Sequence, residues 1–278
     1  MPLYLLVSCL WLTAVLYSRN NTNKRFYKNK FPLQLCCWNV RTLLDRDDRP
    51  ERRTALVTNE LARYGIDIAA LSETRFAGED QLTETESGYT LFWSGKPETE
   101  KREAGVGFAI KNTVLSRLER PTAVNERIMR LRVPLVGDRF LTIISVYAPT
   151  LVSSGEQIMS FYHALRTLIT SIPKDESIVV LGDFNARVGC DSETWSSLGP
   201  HGIGKVNDNG LLLLQLCTEL GLAITNTFFR QKKEHKATWF HPRSKHGHMI
   251  DFIITRRRDL RNFYKVRVMR GAECGKTT

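Results

Sequence analysis

The chain has 278 residues, of which 42% are hydrophobic and 25% are charged, and its formal net charge at pH 7 is +11. The hydrophobic fraction is typical of a globular core, the length suits one large domain or two small ones, and the charge indicates a polyanionic partner such as nucleic acid or a membrane surface. The six cysteines are scattered. This pattern excludes a zinc signature and a dense disulfide framework, and it indicates free thiols in an intracellular compartment, nuclear or cytoplasmic.

The first thirty residues form an apolar and then a basic segment. Residues 3–16 are nearly all apolar, and five basic residues without an acidic one follow before residue 31. The apolar run resembles the core of a signal peptide, but no positive region precedes it, and it is shorter than the ~20 residues that a transmembrane helix needs. We therefore expect residues 1–30 to be an extension outside the fold, with a membrane partner only if the segment acts as a signal or an anchor.

From residue 33 onward, hydrophobic periodicity predicts more strands than helices. The predicted helices are 52–64, 157–172 and 210–220, each followed by a glycine or a proline that ends it. The predicted strands are 33–40, 67–71, 89–93, 106–110, 128–134, 140–148, 177–181, 223–229, 237–240, 249–255 and 265–269.

The strands come in two batches, and each batch carries helices of its own. This pattern predicts an α/β fold, a four-layered α/β sandwich in which two packed, mainly antiparallel sheets have helices outside. A Rossmann fold is not predicted, because no glycine-rich loop follows a first strand. No repeat or low-complexity linker divides the chain after residue 31, so we expect residues 31–278 to form one domain.

Polar residues stand at or near the ends of five predicted strands, where local propensity does not favour them. Each alone has an ordinary explanation, such as a turn, a helix cap or a satisfied hydroxyl, but five together indicate a site. Asp251 lies within an apolar strand, and burying an unpaired carboxylate costs several kcal/mol, so it needs a partner or a cleft. The set comprises Asn39, Glu73, Tyr147, Asp183 with Asn185, and Asp251.

Six segments resemble the endonuclease/exonuclease/phosphatase superfamily of metal-dependent phosphodiesterases. They occur in the family's order and at its approximate spacing over residues 33–274. Within the superfamily, the chain resembles most the endonuclease domains of non-LTR (LINE-type) retrotransposons and the host proteins derived from them. The segments are CCWNVRTL (36–43), IAALSETR (68–75), SVYAPT (145–150), LGDFNARVG (181–189), ATWFHP (237–242) and HMIDFII (248–254).

The resemblance implies a hydrolytic site with DNA as its substrate and no small-molecule cofactor. Glu73 is implied as the principal ligand of Mg²⁺ (or Mn²⁺), with Asn39 close by, and so sparse a set of acids suits a hard cation whose shell is completed by water and phosphate oxygens. Asp183 is implied to position or deprotonate the attacking water, and Asn185 to hold a phosphate oxygen. Tyr147 is implied to donate a hydrogen bond to the phosphate or to the departing oxygen.

The chain departs from the family at its last motif. That motif is a Ser/Thr-Asp-His sequence after the final strand, where the histidine contacts the scissile phosphate and the acid equivalent to Asp251 orients it. The corresponding stretch here is GAECGKTT (271–278), which has no histidine. His248 precedes Asp251 by three residues on the same predicted strand, so we expect it on the opposite face and not as a substitute. The resemblance therefore implies a domain truncated at its C-terminal catalytic motif and an impaired nuclease.

Substrate contacts are predicted at two further places. Trp239 either packs on the sugar–base edge of the substrate or fills the core, and the residues do not decide between these alternatives. Arg256, Arg257 and Arg258 begin a C-terminal stretch with a surplus of six positive charges, which forms either a phosphate-binding surface or a solvated one.

Two other functions stay open on the sequence. One is a phosphatase or phosphodiesterase of the same fold that acts on small or lipid phosphates, because inositol phosphates are polyanions too. The other is a non-catalytic remnant that binds nucleic acid, which the missing histidine supports. The basic C-terminus and the retroelement-like segments favour the DNA endonuclease.

Overall fold

Two sheets form the body of the protein in the computed structural model, which describes residues 9–16, 33–45, 51–135, 137–232, 235–241 and 243–272. Across sheet A the strands are β15 (Phe263–Ala272), β1 (Cys9–Leu16), β2 (Leu33–Asn39), β3 (Ile68–Ser72), β6 (Val106–Lys111), β5 (Tyr89–Ser94) and β4 (Glu79–Glu84). Across sheet B they are β11 (Leu222–Ile224), β14 (Asp251–Arg256), β10 (Ser177–Asp183), β9 (Phe140–Tyr147), β8 (Ile128–Pro134) and β7 (Thr122–Asn125).

The remaining elements of the described chain lie outside these sheets. A two-stranded hairpin joins β12 (Trp239–Phe240) to β13 (Gly247–His248). The helices are α1 (Arg53–Arg63), α2 (Asn112–Leu115), α3 (Gly155–Ser171) and α4 (Asp208–Glu219), with 3-10 helices at Thr225–Thr227 and Arg257–Asn262. No helix in the described part of the chain is long and apolar enough to cross a membrane.

Three apolar layers hold the sandwich together. In β10, Ile178 and Val180 pack with residues of α3 and α4, while Val179 and Leu181 pack between the sheets. A third cluster packs α1 onto the outer face of sheet A. Alternate residues of one strand thus enter different layers, as the period of two requires. The predicted four-layered α/β sandwich is confirmed, and all pairs except β2 with β3 and β9 with β10 are antiparallel.

The helices of sheet B begin at well-capped positions. Ser154 accepts a hydrogen bond from the backbone N–H of Gln157, whose side chain accepts one from the backbone N–H of Ser154, so α3 begins with a complete capping box. Asn207 caps α4 by accepting from the backbone N–H of Gly210 at 2.8 Å. Both caps lie in the chain segments that leave the ends of β9 and β10.

The structure differs from the sequence expectation at the N-terminus. Residues Cys9–Leu16 form β1 between β15 and β2, hydrogen-bonded on both sides, rather than lying outside the fold. The run CLWLTAVL has the length and composition of a buried strand. The sequence pattern did not separate it from the longer apolar run 3–16, to which it belongs. In the described chain, Cys36, Cys37 and Cys217 are buried free thiols and Cys190 is an exposed one.

Two predicted strands in sheet B are shorter than expected. The stretch 223–229 continues as a strand only to Ile224, because Asn226 then bonds to β14 with its side chain: Nδ2 donates to the carbonyl of Asp251 and Oδ1 accepts from the backbone N–H of Ile253. β14 begins at Asp251 and not at 249, so the prediction that Asp251 lies within a strand is corrected to the first residue of one.

The polar residues predicted at the strand ends lie at one end of the sandwich, between its two sheets. Val179 and Leu181 face sheet A, so Asp183 two residues later faces it too. Asn39 follows the same alternation in β2, and Tyr147 belongs to the layer between the sheets. Because β10 is parallel to β9 with Asp183 opposite Tyr147, and antiparallel to β14 with Asp183 opposite Asp251, the three side chains lie at one end of sheet B.

Gly182 allows β9 and β10 to approach closely beside Asp183. Its φ is +149°, and a Cβ there would lie 2.0 Å from the carbonyl oxygen of Val146. We expect Gly182→Ala to lower the free energy of unfolding by about 3 kcal/mol, because both the backbone and the packing would be strained. Urea denaturation measures this. Gly155→Ala is the control, since a Cβ at Gly155 meets nothing within 4 Å, and an equal loss in both variants would contradict the prediction.

Candidate active site

Asn39 joins acids that come from the two sheets. Its Nδ2 donates to Oε1 of Glu73 at 2.7 Å and to Oδ2 of Asp183 at 3.0 Å. Its Oδ1 accepts from the backbone N–H of Arg41 at 2.9 Å, which fixes the orientation of the amide. Both hydrogens of one nitrogen are therefore used, and two carboxylates meet at a single side chain.

Asp183 is buried and hydrogen-bonded at both oxygens. Besides the bond from Asn39, its Oδ1 accepts from the backbone N–H of Asn185 at 2.8 Å. Burial raises the pKa of Asp183 to about 6, against the lowering effect of these two hydrogen bonds, and the charge of Glu73 raises it further. A carboxyl with this pKa changes its protonation state near neutral pH, which is what a general base needs.

Asp251 adds a second buried carboxyl beside Asp183. Burial raises the pKa of Asp251 well above its usual range, the charge of Asp183 raises it further, and a hydrogen bond from the side chain of Thr238 lowers it. Oγ1 of Thr238 also accepts from the backbone N–H groups of Ile250 and Asp251 at 3.0 and 3.1 Å. The Thr238 hydroxyl thus uses its acceptor capacity on the backbone and its hydrogen on the carboxylate.

Glu73 lies just after β3 in a left-handed backbone conformation, with φ +57°. Its Oε2 accepts from Nη2 of Arg75 at 3.2 Å. The hydroxyl of Tyr147 is also hydrogen-bonded to Glu73, and burial, followed by the charges of Glu73 and Asp183, raises the pKa of Tyr147. The phenol therefore stays protonated at neutral pH and can act as a hydrogen-bond donor. Arg127 packs over the Tyr147 ring, 5.3 Å from its centroid.

Asn185 has a left-handed backbone as well, with φ +45°. Its Nδ2 donates to the carbonyl of Ala148 at 2.9 Å, which ties the end of β10 to the end of β9. One amide hydrogen of Asn185 is engaged in this bond. Within the described chain the other hydrogen has no acceptor, which leaves it for an external one, as a role in holding a phosphate oxygen requires.

The donor set of this cluster is compatible with Mg²⁺ or Mn²⁺. Among the described residues, no three His, Cys, Asp or Glu side chains are arranged as a metal site of their own. Mg²⁺ usually takes one or two carboxylates and completes its octahedron with water and phosphate oxygens. Glu73 and Asp183 supply two carboxylates at one amide, and the described ion pairs give them a single cation, Arg75.

Trp239 lies in the hairpin that begins next to Thr238. It is half-buried, outside the apolar layers of the sandwich, and stacks on His248 with centroids 5.7 Å apart. His248 lies in β13, whereas Asp251 lies in β14. This corrects the expectation that both residues lie on one strand. Burial lowers the pKa of His248, and the charge of Arg187 lowers it further. In the described chain, no hydrogen bond joins a histidine side chain to Asp183 or Asp251.

The structure does not bring the three predicted C-terminal arginines to the cluster. Arg256 ends β14, five residues from Asp251, a strand distance of roughly 17 Å. Arg256 and Arg258 both donate to the carbonyl of Glu176, at 3.0 and 3.2 Å. Arg257 donates to the carbonyl of Ser196. These bonds tie the far end of sheet B together.

Most of the chain is similar to proteins of one known family. The model of the Endonuclease/Exonuclease/phosphatase family matches residues 36–270. The chain belongs to this family. Craniofacial development protein 2 of Bos taurus is 30% identical over 239 residues, which cover 86% of this chain and 38% of that protein. The chain therefore spans less than two fifths of the relative's length.

Solved structures share the fold of this family member at low identity. The catalytic domain of APE2 from Xenopus laevis superposes with a TM-score of 0.57 at 17% identity, covering 85% of this chain and 91% of the other. The 3′ phosphatase NExo from Neisseria, bound to a product DNA hairpin, gives a TM-score of 0.50 at 21% identity over 81% and 86%. The predicted superfamily and fold class are confirmed. Nucleases of this family generally use divalent metal ions.

Sequence reasoning missed three side chains of this candidate site. Arg75 lies in a quoted segment, but its ion pair depends on the left-handed turn after β3, which no pattern indicates. Thr238 looked like a strand residue, and its bonds to Asp251 appear only once the hairpin is placed. Asn209, on α4, is fully buried and donates to the carbonyl of Asn185 at 3.2 Å. A polar residue at a core position of α4 was the available signal.

Asp251 offers a test of the buried charge in this candidate site. Because its pKa in the folded protein lies above the unfolded value, folding disfavours the ionised form, and the protein loses stability as the pH rises above ~4. Asp251→Asn lacks this charge. We expect it to raise the free energy of unfolding by at least about 1 kcal/mol at pH 7.5 without divalent ions. The gain should shrink towards zero near pH 4.

Urea denaturation between pH 4 and pH 8 measures this difference. Asp80→Asn, at an exposed position of β4, serves as the control and should show no such trend. A gain for Asp251→Asn that is constant with pH, or largest in acid, would contradict the explanation.

Proposed function

We propose that this chain is a divalent-metal-dependent phosphodiester hydrolase that acts on DNA, an endonuclease of the LINE retrotransposon type. The observation that carries the proposal is the position of Asn39, whose single amide nitrogen binds Glu73 from sheet A and Asp183 from sheet B. Neither carboxylate is paired with a lysine or histidine in the described chain, and a buried, negatively charged cleft of this kind is a cation site.

Each residue of the cleft has a role that its contacts support. Glu73, with Asn39 beside it, would hold Mg²⁺ or Mn²⁺, and the ion would supply neutralisation of the charge that develops on the phosphate. Asp183, with its pKa near 6, accepts a proton from the attacking water. Asn185 holds a phosphate oxygen with its free amide hydrogen. Tyr147, which its raised pKa keeps protonated, would turn its hydroxyl from Glu73 and donate a hydrogen bond to the phosphate or to the departing oxygen.

Asp251 maintains the charge balance of the cleft. It faces Asp183 in register and raises the proton affinity of the pair, so that one proton is readily taken up between them. With no histidine bonded to either acid in the described chain, the proposed reaction relies on Asp183, Asn185 and Tyr147. We therefore expect turnover ~10²–10⁴-fold below that of an enzyme with a histidine acid–base group at this position.

DNA is favoured as the substrate by charge and by similarity. The net charge of +11 suits a nucleic-acid polyanion. NExo, which shares the fold, is a 3′ phosphatase bound to a DNA hairpin. Trp239 lies half-buried on a hairpin rooted next to Asp251, where a base or sugar could pack against it. Arg256, Arg257 and Arg258 lie too far from the cleft to bind the scissile phosphate, so any contact they make would be with distant phosphates of a long substrate.

Two alternatives are separable from the endonuclease. A phosphatase of the same fold would release phosphate from a small or lipid phosphate and leave closed plasmid intact. A non-catalytic remnant would bind DNA without cleaving it. The ordered bonds of Asn39, Asn185 and Tyr147 around the acids favour catalysis. Residence in the nucleus or the cytoplasm is part of the same proposal, because a DNA endonuclease needs access to DNA.

Nicking of supercoiled plasmid tests the endonuclease directly. We expect slow nicking with Mg²⁺ or Mn²⁺, none with EDTA, and a rate reduced ~10²–10⁴-fold in Asp183→Ala, because that variant loses the general base. Asp80→Ala, which removes an exposed acid from β4, should nick at the wild-type rate. Absence of nicking with both metals, together with phosphate release from an inositol phosphate, would show the phosphatase instead. A gel shift without nicking would show the remnant.

Arg75 gives a second prediction, because its guanidinium occupies an oxygen of Glu73 that a metal ion would take. We expect Arg75→Gln to bind Mn²⁺ about two- to fivefold more tightly in the absence of DNA, the range of a partly exposed ion pair. The KM for plasmid should rise in this variant. In the wild-type protein, the guanidinium that the metal ion displaces from Glu73 is close enough to bind a phosphate oxygen, and the variant lacks it. Isothermal titration with Mn²⁺ and nicking kinetics measure the two effects.

Arg41→Gln is the matched control for Arg75→Gln. It removes the same charge two residues after Asn39, but the described ion pairs include none between Arg41 and Glu73. Equal changes in Mn²⁺ affinity in both variants would reduce the effect to general electrostatics and would contradict a specific role for Arg75.

A further inference from the structure

The side chain of Asn209 connects two loops of the site by hydrogen bonds. Its side chain is fully buried on the first turn of α4. Nδ2 donates to the carbonyl of Pro149 at 3.0 Å and to the carbonyl of Asn185 at 3.2 Å. The first carbonyl lies just after β9 and the second just after β10. One amide nitrogen therefore holds together the segments that follow Tyr147 and Asp183.

The geometry suits the uncharged amide of an asparagine at this position. Two carbonyl oxygens lie within hydrogen-bond distance of one atom, so that atom must be a nitrogen with two hydrogens. Oδ1 of Asn209 is buried and has no partner within the described chain. A buried polar atom without a partner costs free energy, so packing alone would favour an apolar residue at this position. The two donated bonds are what the asparagine contributes.

The N-terminal turn of α4 also binds the next residues of the loop after β10. Asn207 donates from its backbone N–H to the carbonyl of Arg187 at 3.0 Å and accepts at Oδ1 from the backbone N–H of Arg187 at 2.8 Å. Gly210 permits this approach, because a Cβ there would lie 1.8 Å from the carbonyl oxygen of Arg187. The segment from Asn185 to Arg187 is thus held at both ends by one helical turn.

The held segment carries a strained residue. Asn185 has φ +45°, a conformation that non-glycine residues keep only where their surroundings determine it. Its backbone N–H is bonded to Asp183 and its side chain to Ala148, while Asn209 holds its carbonyl. These three bonds fix the direction in which the free amide hydrogen of Asn185 points.

We propose that Asn209 is a positioning residue, which acts on the reaction through Asn185 by holding the loops after β9 and β10 in one relative position. Its kinetic part rests on the proposed hydrolase function. A displacement of about 1 Å at a group that binds the reacting phosphate can lower the rate ~10²-fold. Loss of the two hydrogen bonds of Asn209 should therefore reduce kcat more than it changes KM.

The test uses Asn209→Leu, which keeps the volume of the side chain and removes its donors, and Asn209→Ser as a smaller change if the leucine variant does not fold. Thr227→Val is the matched control. Thr227 is equally buried, accepts from the backbone N–H of Gly199 and donates to the carbonyl of Ile224, both at 2.7 Å, and lies outside the cluster of acids. Plasmid nicking is measured for these variants, for Asn185→Ala and for the double variant Asn185→Ala with Asn209→Leu.

We expect Asn209→Leu to lower kcat about 10–100-fold with KM within about threefold, and Thr227→Val to leave both unchanged. The double variant should be no slower than Asn185→Ala by more than about threefold, because Asn209 acts through the group that is already missing. Losses that multiply in the double variant, or wild-type kinetics in Asn209→Leu, would overturn the proposal.

Hydrogen exchange separates this proposal from the hydrolase itself. In peptides that cover residues 185–187, the amides should exchange at least about tenfold faster in Asn209→Leu than in Thr227→Val, because the loop is released. Without nicking in the wild-type protein, the hydrolase fails and this measurement still decides whether Asn209 holds the loop. Equal exchange in the two variants would overturn the role of Asn209, whatever the activity.

Discussion

Asp183 and Asp251 face one another across neighbouring strands, and only 3% and 6% of their surfaces are exposed. Like charges in register on a sheet repel, and burial increases the cost of ionising either one. Three groups relieve part of this cost: Asn39 and the backbone of Asn185 at one acid, and Thr238 at the other. The fold keeps this arrangement where two amides would be more stable. Under the proposed function, a divalent cation held at Glu73 would offset part of this negative charge.

Backbone strain gathers around the same acids. Of the six non-glycine residues with positive φ in the described chain, four lie at or within two residues of Asn39, Glu73 or Asp183. Such conformations cost roughly 1–3 kcal/mol each and persist where neighbouring contacts leave no alternative. Sheet B supplies those contacts through the first turn of α4, and sheet A through the backbone bonds of Thr74 to Gly105 and of Arg75 to Ala104. The sandwich thus serves as the rigid frame of a strained cleft.

Much of the fold and of the candidate site could be predicted from the sequence. Buried strands are recognisable by their apolar composition, and the polar residues at their ends are then conspicuous. Glu73 and Asp183 were singled out in this way, the two batches of strands predicted the fold class, and the motif order indicated the family. The polar edge strand β4 was missed because its exposed side chains show no apolar alternation. β1 was missed because a signal-peptide core has the same composition as a buried strand. Asn209 could have been noticed as a polar residue at a core position of α4, but its contacts could not be predicted, because its partners are backbone carbonyls distant in the chain and a sequence does not show which carbonyls need donors.

The central claim is that the cleft between Glu73 and Asp183 is built to take a divalent cation. Thermal unfolding of the full chain in increasing Mn²⁺, at ionic strength matched with NaCl, tests it most directly. The account predicts a saturable rise of the midpoint, by about 5 °C at a hundredfold excess over Kd, which the double variant Glu73→Gln with Asp183→Asn abolishes. A midpoint that does not move with Mn²⁺, or one that rises equally in the double variant, would contradict it.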